Sequence, residues 1–286
     1  MSQSMYSKTI VITGASTGIG RACALHLDKL GFQVIAGIRT ETDAASLQQA
    51  SSDRLTTVHI DIAKSDSILR ATNIIETQLK SVGLYGLINN AGIVIAGPLE
   101  FVPIDALRSQ LEINVVGHIA ITQALLPLLR QAKGRIINMS SVSGRVATPF
   151  LGPYAASKFA LEALSDSMRL ELIPWEINVS VIEPGPISTP IWSKSIEATK
   201  LMIDKLPEKA KVLYGPAFEA ALRRGDNVEQ SMSTPEVVVR AVVHALTSRK
   251  PRIRYRIGIS GVVADIFARF LPDVLKDWLI KRQRKI

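Results

Sequence analysis

The amino-acid sequence predicts an α/β protein with a doubly wound parallel sheet and helices on both faces. Short runs rich in β-branched residues alternate with longer helical stretches as far as residue 246. Runs such as residues 34–38 contain no polar side chain, as expected of strands that are buried on both faces. We therefore expect one domain over residues 1–250 and a helical C-terminal extension over residues 251–286.

The elements follow one another in a regular order. We expect strands, from their short apolar runs, at residues 9–13, 33–38, 56–60, 87–89, 135–140 and 178–182. We expect helices, from their length and apolar period, at residues 19–30, 65–82, 104–132 and 154–173. Prolines then interrupt the alternation, and we interpret residues 186–234, with a helical stretch at 195–213, as a substrate loop. A last helix is expected at 235–246.

Composition excludes several classes of protein. The single cysteine, Cys23, cannot form an internal disulfide, and the four histidines do not have the spacing of metal ligands. The net charge is +9, but eleven Lys or Arg fall after residue 248 with only three Asp, so the rest of the chain is nearly neutral. We therefore expect no nucleic-acid partner and no metal. The first residues lack the pattern of a signal peptide, which favours a cytoplasmic protein.

A glycine-rich segment ends the first expected strand and opens the first expected helix. Its sequence is Thr13-Gly14-Ala15-Ser16-Thr17-Gly18-Ile19-Gly20. Glycines let the backbone approach a pyrophosphate, and the start of a helix presents free N–H groups to it. A tight turn without a ligand would use the same residues, and the glycine spacing differs from the common dinucleotide pattern.

Further motifs follow in a fixed order along the chain. They are Asn89-Asn90-Ala91-Gly92, Asn114, Ser141, Tyr154-xxx-Lys158 and Pro184-Gly185. Together with the glycine spacing, this set resembles the short-chain dehydrogenase/reductase family over residues 9–246. The resemblance implies a Rossmann-type fold and hydride transfer between a nicotinamide dinucleotide and an alcohol or carbonyl.

Tyr154 and Lys158 form a candidate acid/base unit. They lie four residues apart at the start of an expected helix, so their side chains share one face. An ammonium beside a phenol favours the phenolate, so we expect Lys158 to lower the pKa of Tyr154 from its usual value of about 10. A surface pair at helical spacing is the alternative.

Ser141 and Asn114 complete the candidate catalytic set. Ser141 would end a strand at the carboxyl edge of the sheet, where its hydroxyl can orient a substrate oxygen. The adjacent Ser140 competes, and Ser141 is preferred because the family places its serine thirteen residues before the tyrosine. By resemblance, Asn114 holds a water that links Lys158 to solvent; an asparagine satisfied inside the core is the alternative.

The resemblance also implies a set of cofactor contacts. Asp61 would cap the adenine end, although an Asp there could equally cap a turn. Residues after Pro184 would border the nicotinamide carboxamide. The expected cofactor-binding residues are Gly14, Ser16, Thr17, Gly18, Ile19, Gly20, Arg39, Asp61, Ile62, Asn90, Ala91, Gly92, Tyr154, Lys158, Pro184, Gly185, Ile187 and Thr189.

Arg39 favours NADP(H) over NAD(H). It directly follows the second expected strand, where its guanidinium can pair with a 2′-phosphate. Ile38 offers no carboxylate to bind a ribose diol and repel that phosphate. The nearby Glu41 is the opposing consideration.

The C-terminal sequence resembles the retinol and 17-beta-hydroxysteroid dehydrogenase branch of the family. The similar segments are residues 251–255, 271–273 and 278–279. The resemblance implies a lipophilic substrate such as a retinoid, a steroid or a related ketone or aldehyde. The alternative is a regulatory protein that binds NADP without turnover, and the intact Ser141, Tyr154 and Lys158 argue against it.

Two helical stretches predict self-association. Residues 111–129 and 154–172 contain more small and apolar residues than one buried face needs, among them Val115, Ile119 and Ala155. Family members pair through the equivalent helices, which implies a homodimer or homotetramer. Complete burial within one subunit is the alternative.

The tail over residues 261–286 predicts an amphipathic helical segment. Val262, Ile266 and Phe270 recur every four residues, and Trp278 continues an apolar face beside basic residues. One interpretation is a terminal helix docked on its own subunit. The other is peripheral binding to anionic lipid, since the apolar length is too short to span a membrane.

Overall fold

The structure, a computed structural model, contains one sheet of parallel strands. It describes residues 8–192, 195, 197, 207–229, 232–258, 266–267 and 270–284. Within these residues the strands are β1 (Thr9–Ile12), β2 (Gln33–Ile38), β3 (Leu55–His59), β4 (Gly86–Asn89), β5 (Arg135–Met139), β6 (Asn178–Pro184) and β7 (Arg254–Ile257). All neighbours pair in parallel, in the order β3-β2-β1-β4-β5-β6-β7.

Helices connect the strands and cover both faces of the sheet. They are α1 (Gly18–Lys29), α2 (Glu41–Gln49), α3 (Ser65–Leu79), α4 (Ile104–Leu111), α5 (Gly117–Ala132), α6 (Gly152–Glu171), α7 (Glu208–Glu229), α8 (Glu236–Thr247) and α9 (Asp273–Arg284). Along β1, Ile10 and Ile12 pack in one core cluster with α1 and α8, whereas Val11 packs in another with α3 and α5. The predicted doubly wound α/β fold is therefore confirmed.

The predicted long helix at residues 104–132 contains one irregular turn. Residues Glu112–Val116 form a π-helical turn between α4 and α5, and this turn includes Asn114. Single π turns inside α-helices are frequent at functional sites. The helical stretch Ile104–Ala132 is long and apolar enough to cross a membrane, judged by length and composition alone. It is the one such helix in the described ranges. Its contacts with α3 and α6 account for that apolar character, because it is a central helix of the fold.

Two elements lie where the sequence analysis expected none. Helix α2 buries only Ala44 and Leu47, so its apolar period is too weak to recognise. Strand β7 has the sequence Arg-Tyr-Arg-Ile and pairs with β6, with Ile182 opposite Tyr255. The sheet therefore extends past the boundary expected at residue 250, because the arginines of β7 pair with the buried Glu162 and Glu183.

The helix expected at residues 195–213 lies partly outside the described residues. Helix α7 spans Glu208–Glu229, and most of the segment before it lies outside the described residues. Of the tail, Val262 and Val263 also lie outside them. The strand order reverses between β1 and β4, and in such sheets ligands bind beside this point, at the carboxyl ends of the strands.

Candidate active site

A cavity of about 480 Å³ opens at the carboxyl edge of the sheet, beside this reversal. Its lining comes from the loops that follow the first six strands, as expected for a ligand site in a doubly wound sheet. The predicted residues that line it are Gly14, Ser16, Thr17, Gly18, Ile19, Arg39, Asp61, Ile62, Asn90, Ala91, Gly92, Ser141, Tyr154, Lys158, Pro184, Gly185, Ile187 and Thr189. Among all the predicted site residues, Gly20 and Asn114 stand behind this lining.

Asn90 and Thr13 hold the glycine-rich loop in place. The Asn90 side-chain amide donates to the carbonyl oxygens of Thr13 and Gly14, at 3.1 and 3.0 Å. In return, the Thr13 hydroxyl accepts from the backbone N–H groups of Asn90 and Ala91, at 3.0 and 3.1 Å. These bonds join the turn after β1 to the turn after β4, so the two sides of the cavity floor form one unit.

Gly20 supports this floor from behind. A Cβ atom at this position would lie 2.2 Å from the carbonyl oxygen of Gly14 and 2.5 Å from the Asn90 amide nitrogen. Only glycine therefore lets α1 begin this close to the loop. Thr17, the residue before α1, makes no side-chain capping bond, which leaves the first N–H groups of the helix for an anion.

The other end of the cavity is formed by residues that follow β2 and β3. Arg39 is exposed there, and Asp61 and Ile62 line the neighbouring wall. The Asp61 carboxylate accepts from the backbone N–H of Ala63 at 3.2 Å and lies 3.8 Å from the Lys64 ammonium. Asp61 thus caps a turn as well as lining the cavity, so both interpretations of this residue agree with the geometry.

Tyr154 and Ser141 face each other in the cavity. Both side chains are buried. Burial raises the pKa of Tyr154 above its ordinary value, and the nearby Ser141 side chain, as a hydrogen-bonding group, opposes this rise. The expected lowering of this pKa by Lys158 was therefore wrong for the free protein, which holds the phenol protonated.

Lys158 lies below Tyr154, with its ammonium 5.7 Å from the centre of the Tyr154 ring. The ammonium donates to the backbone carbonyl oxygen of Met139, at the end of β5, at 2.8 Å. Burial lowers the pKa of Lys158 to about 8, against the opposing effect of the Glu162 carboxylate. The helical spacing did predict that Tyr154 and Lys158 share one face of α6.

The structure distinguishes Ser141 from Ser140. The Ser141 hydroxyl accepts from the backbone N–H of Ser143 at 3.1 Å and also reaches Tyr154. Ser140 is also a lining residue, but its hydroxyl is buried without a hydrogen-bond partner within the described part of the chain. The geometry thus agrees with the choice of Ser141.

Asn114 has its hydrogen bonds in the protein interior. Its amide donates to the carbonyl oxygen of Ile93 at 3.0 Å and to the Ser157 hydroxyl at 3.1 Å. Its carbonyl oxygen accepts from the backbone N–H of Ile93 at 2.9 Å. Asn114 therefore holds the loop after Gly92 against α6, and its expected water relay to Lys158 stays a prediction.

His118 is a buried residue of this region that sequence reasoning missed. Its Nε2 contacts the carbonyl oxygen of Ala91 at 2.6 Å, and its Nδ1 is buried with no hydrogen-bond partner within the described residues. Burial first, and the charge of Lys158 second, lower the pKa of His118 to about 3. It lies four residues after Asn114, and this helical spacing was the available indication.

Sequence reasoning also missed an apolar wall of the cavity. We use this name for Ile93, Val94, Ile95, Ile113, Ile191 and Trp192. The Ser195 hydroxyl donates to the carbonyl oxygen of Val94 at 3.3 Å, which joins the segment after β6 to the loop after β4. The substrate loop expected at residues 186–234 had indicated only the segment after β6.

Comparison with known proteins identifies this arrangement. The model of the short chain dehydrogenase family matches residues 8–200. This chain belongs to the short-chain dehydrogenase family. It is therefore an oxidoreductase of a fold that binds a nicotinamide dinucleotide, as the resemblance implied.

Curated relatives cover nearly the whole chain of this dehydrogenase. Retinol dehydrogenase 5 of Mus musculus is 40% identical over 283 residues, which are 96% of this chain and 89% of that protein. The 17-beta-hydroxysteroid dehydrogenase type 6 of Bos taurus is 37% identical, with coverage of 97% and 89%. The mitochondrial D-beta-hydroxybutyrate dehydrogenase of Mus musculus is 39% identical, with coverage of 87% and 76%. The predicted likeness to the retinol and hydroxysteroid branch is confirmed.

Solved structures agree on the fold of this dehydrogenase. A short-chain dehydrogenase from Streptomyces avermitilis is 25% identical, with a TM-score of 0.77 and coverage of 100% of this chain and 98% of that one. A short chain dehydrogenase from Burkholderia cenocepacia J2315, solved in complex with NADP, is 24% identical, with a TM-score of 0.71 and coverage of 98% of both chains.

Proposed function

We propose that this dehydrogenase interconverts a lipophilic alcohol and its carbonyl with NADP(H). The observation that carries the proposal is the meeting of Tyr154, Ser141 and Lys158 at one end of a cavity whose other end holds the glycine-rich loop and Arg39. A dinucleotide needs such an elongated site, with phosphate donors at the helix start and a reaction centre beyond them.

The chain's own residues supply binding, orientation and proton transfer. The bound dinucleotide supplies or accepts the hydride. Ser141 holds the substrate oxygen beside Tyr154, whose phenol gives a proton to the carbonyl oxygen during reduction and takes it back during oxidation. The protonated state of Tyr154 in the free protein suits the donor role. Lys158 presents a positive charge beneath the reacting groups and binds the nicotinamide ribose.

Arg39 supports NADP(H) as the cofactor. Arg39 lies at the end of the cavity formed by the residues after β2 and β3. Among the described residues that line the cavity, Arg39 and Lys158 are the two with basic side chains. A 2′-phosphate there would receive a charge-assisted hydrogen bond, whereas the diol of NAD(H) finds no carboxylate at Ile38. NAD(H) is therefore the less favoured cofactor.

The apolar wall supports a lipophilic substrate. The name of one relative, D-beta-hydroxybutyrate dehydrogenase, indicates a hydroxy acid as the substrate of that protein. A hydroxy acid needs a cation beside its carboxylate. Ile93, Val94 and Ile95 face Ile191 and Trp192 across the lining without a basic side chain among them. A retinoid, a steroid or a related ketone or aldehyde could bury its apolar surface there.

A turnover screen tests these assignments. Purified protein would be assayed with NADPH and NADH against retinoids, steroids, aliphatic aldehydes, quinones and 3-oxo acids. We expect a higher kcat/KM with NADPH and with a bulky apolar carbonyl. Equal or better use of NADH would overturn the cofactor assignment, and preference for a short oxo acid would overturn the substrate class. Cofactor binding with no turnover of any compound would favour the regulatory alternative.

We also propose that the dehydrogenase is a homodimer or homotetramer. On α5 and α6 and their flanking turns, the exposed apolar side chains include Val116, Phe159 and Leu164, which are 49%, 45% and 39% exposed. A second copy could cover this surface with an equivalent one. Light scattering at micromolar concentration tests this, and a monomer mass would contradict it.

The C-terminal helix supports peripheral contact with anionic lipid. On and before α9, Phe270 and Val274 are 75% and 83% exposed, and Trp278 is half exposed beside Arg282. Exposed apolar groups interleaved with basic ones suit the interface of a lipid bilayer. We therefore propose a cytoplasmic protein that associates with membranes from one side.

Vesicle co-sedimentation tests the lipid contact. The full-length protein should sediment with anionic vesicles and be released by salt, and Trp278→Glu should weaken this binding. Trp175→Glu, at a half-exposed tryptophan far along the chain from α9, is the matched control. Equal sedimentation of both variants, or none by the parent protein, would leave α9 as a helix docked on its own subunit.

A further inference from the structure

A cluster of charged side chains lies buried behind the catalytic face. Its carboxylates are Glu162, Asp166 and Glu183, and its guanidinium groups are Arg145, Arg254 and Arg256. Glu162 and Glu183 are 5% and 1% exposed. Buried charges are expensive unless they are paired, so this ionic cluster calls for a physical explanation.

Two arginines bridge the two most buried carboxylates. The Arg254 Nε atom lies 3.0 Å from Glu162 Oε2 and 3.3 Å from Glu183 Oε1. The Arg145 Nε atom lies 2.9 Å from Glu183 Oε1, and its Nη2 atom lies 3.7 Å from Glu162 Oε2. Glu162 and Glu183 are therefore held together across the space between α6 and β6.

Three members of the ionic cluster adjoin segments of the candidate active site. Glu162 lies one helical turn after Lys158 on α6. Arg145 directly follows the short turn Val142–Gly144, which begins after Ser141, and Glu183 directly precedes Pro184. The cluster thus joins the serine turn, the lysine helix and the turn after β6 to β7.

One oxygen of the Glu162 carboxylate has no hydrogen-bond partner among the described residues. The contacts with Arg145 and Arg254 both fall on Oε2, whereas Oε1 is buried without a hydrogen-bond partner among the residues described. Among the described residues, the ionisable side chains near Lys158 include Tyr154 and Glu162 on α6 and His118 on α5. Glu162 is the carboxylate among them.

We propose that Glu162 is a positioning residue for Lys158: its ion pairs fix the lysine helix against the serine turn, and its charge stabilises the buried ammonium. The inference rests on the proposed function in assigning Lys158 to cofactor binding. Because burial alone disfavours the ammonium, a neighbouring carboxylate keeps Lys158 charged over more of the neutral and alkaline range.

Asp166 provides a matched control. It lies one turn beyond Glu162 and pairs with the same Arg254, at 2.6 Å between Oδ2 and Nη2. Its side chain is 43% exposed, however, so water screens its charge. Loss of Asp166 weakens the ionic cluster as a support without removing the negative charge beside Lys158.

The first experiment follows Lys158 directly. The side-chain resonance of Lys158, assigned by its absence in Lys158→Met, is titrated by NMR in the cofactor-free protein. We expect the midpoint to move to lower pH in Glu162→Gln, to return in Glu162→Asp, and to stay near that of the parent protein in Asp166→Asn. An unchanged midpoint in Glu162→Gln, or an equal shift in Asp166→Asn, would overturn the inference.

A second variant covers the case in which Glu162→Gln does not fold. Arg145→Gln removes a cation beside Glu162, so the midpoint of Lys158 should then move to higher pH. No shift, or a shift to lower pH, would refute the proposal.

The pH dependence of NADPH affinity separates this inference from the proposed function. If Lys158 binds cofactor through its charge, the alkaline loss of affinity should follow the NMR midpoint in each variant. A shifted midpoint with an unchanged affinity profile would support the link between Glu162 and Lys158 and would contradict the cofactor role of Lys158.

Discussion

The ammonium of Lys158 donates a hydrogen bond to the carbonyl oxygen of Met139, 2.8 Å away, at the carboxyl end of β5. This bond ties α6 to the strand that leads into Ser140 and Ser141. Ser140 and Ser141, which follow Met139, thereby line the same cavity as Tyr154, which lies four residues before Lys158. The geometry of the candidate active site thus depends on a contact between a side chain and a strand backbone.

Tyr154→Phe should abolish turnover while leaving cofactor binding intact. The substitution removes only the hydroxyl that carries the proton, and the ring stays packed. General acid–base catalysis contributes about 100-fold to 10,000-fold, so we expect kcat to fall by at least about 100-fold. Steady-state kinetics and NADPH fluorescence titration measure the two effects. Retention of most of the activity would eliminate Tyr154 as the proton donor.

Lys158→Met should stabilise the protein at neutral pH while weakening cofactor binding and turnover. Burial lowers the pKa of Lys158 to about 8 from 10.5, so the folded state bears the cost of a buried charge below pH 8. Between pH 8 and 10.5 the unfolded state binds more protons, so the parent protein recovers stability as pH rises. The thermal unfolding midpoints of Lys158→Met and of the parent protein should therefore differ more at pH 7 than at pH 10. Exposed Lys80→Met serves as the control, and a loss of stability in Lys158→Met at pH 7 would contradict this account.

Arg39→Ser should reduce the preference for NADPH. A hydrogen bond to a charged group contributes about 1.5–3 kcal/mol, so kcat/KM with NADPH should fall about 10-fold to 100-fold while that with NADH stays nearly constant. Arg70→Ser, at an exposed arginine on α3, controls for the loss of surface charge. Parallel losses with both cofactors would argue against pairing of Arg39 with a 2′-phosphate.

His118→Gln should make stability less sensitive to acid. In the folded protein the pKa of His118 is about 3, against an ordinary value of 6.5, so the unfolded state binds more protons between these values. Stability is therefore lost as pH falls through this window, and glutamine, which can still donate to the Ala91 carbonyl, removes that loss. Urea unfolding midpoints from pH 7 to pH 4 measure the slope. The exposed His26→Gln should keep the parent slope, and equal slopes in all three proteins would contradict the assignment.

Gly144→Ala should disturb the catalytic centre. The added Cβ would lie 2.8 Å from the Ser140 hydroxyl and 3.1 Å from Glu162 Cγ, so the side chains of Ser140 and Glu162 or the turn itself must shift. We expect a loss of about 1–3 kcal/mol in the free energy of unfolding, together with reduced kcat. Gly215→Ala on α7 is the matched control, because its Cβ would meet nothing within 4 Å. Full activity in Gly144→Ala would show that the turn tolerates displacement.

Much of the fold follows from the sequence because its determinants are local. Strand and helix periods, and the switch from apolar runs to longer amphipathic stretches, do not depend on distant residues. The same holds for the face shared by Tyr154 and Lys158, since four residues along a helix place two side chains together. The ordered motifs further indicated the family, and nearly all of the site residues predicted from them line the cavity.

Other features depend on residues far apart in the chain. Arg254 looked like part of a solvated basic tail, yet it pairs with Glu162, 92 residues earlier, and brings β7 into the sheet. The apolar wall needs the loop after β4 to meet the segment after β6, and no local pattern specifies which loops come together.

The sequence by itself determined the parallel sheet, the glycine-rich loop and the candidate catalytic side chains. Only the tertiary structure decided the protonation of Tyr154 and the anchoring of Lys158 to Met139. The physical reason is that pKa values and side-chain contacts depend on burial and on neighbours from other elements. Helical spacing brought Tyr154 and Lys158 to one face, whereas the protein interior around them set the charge that each one has.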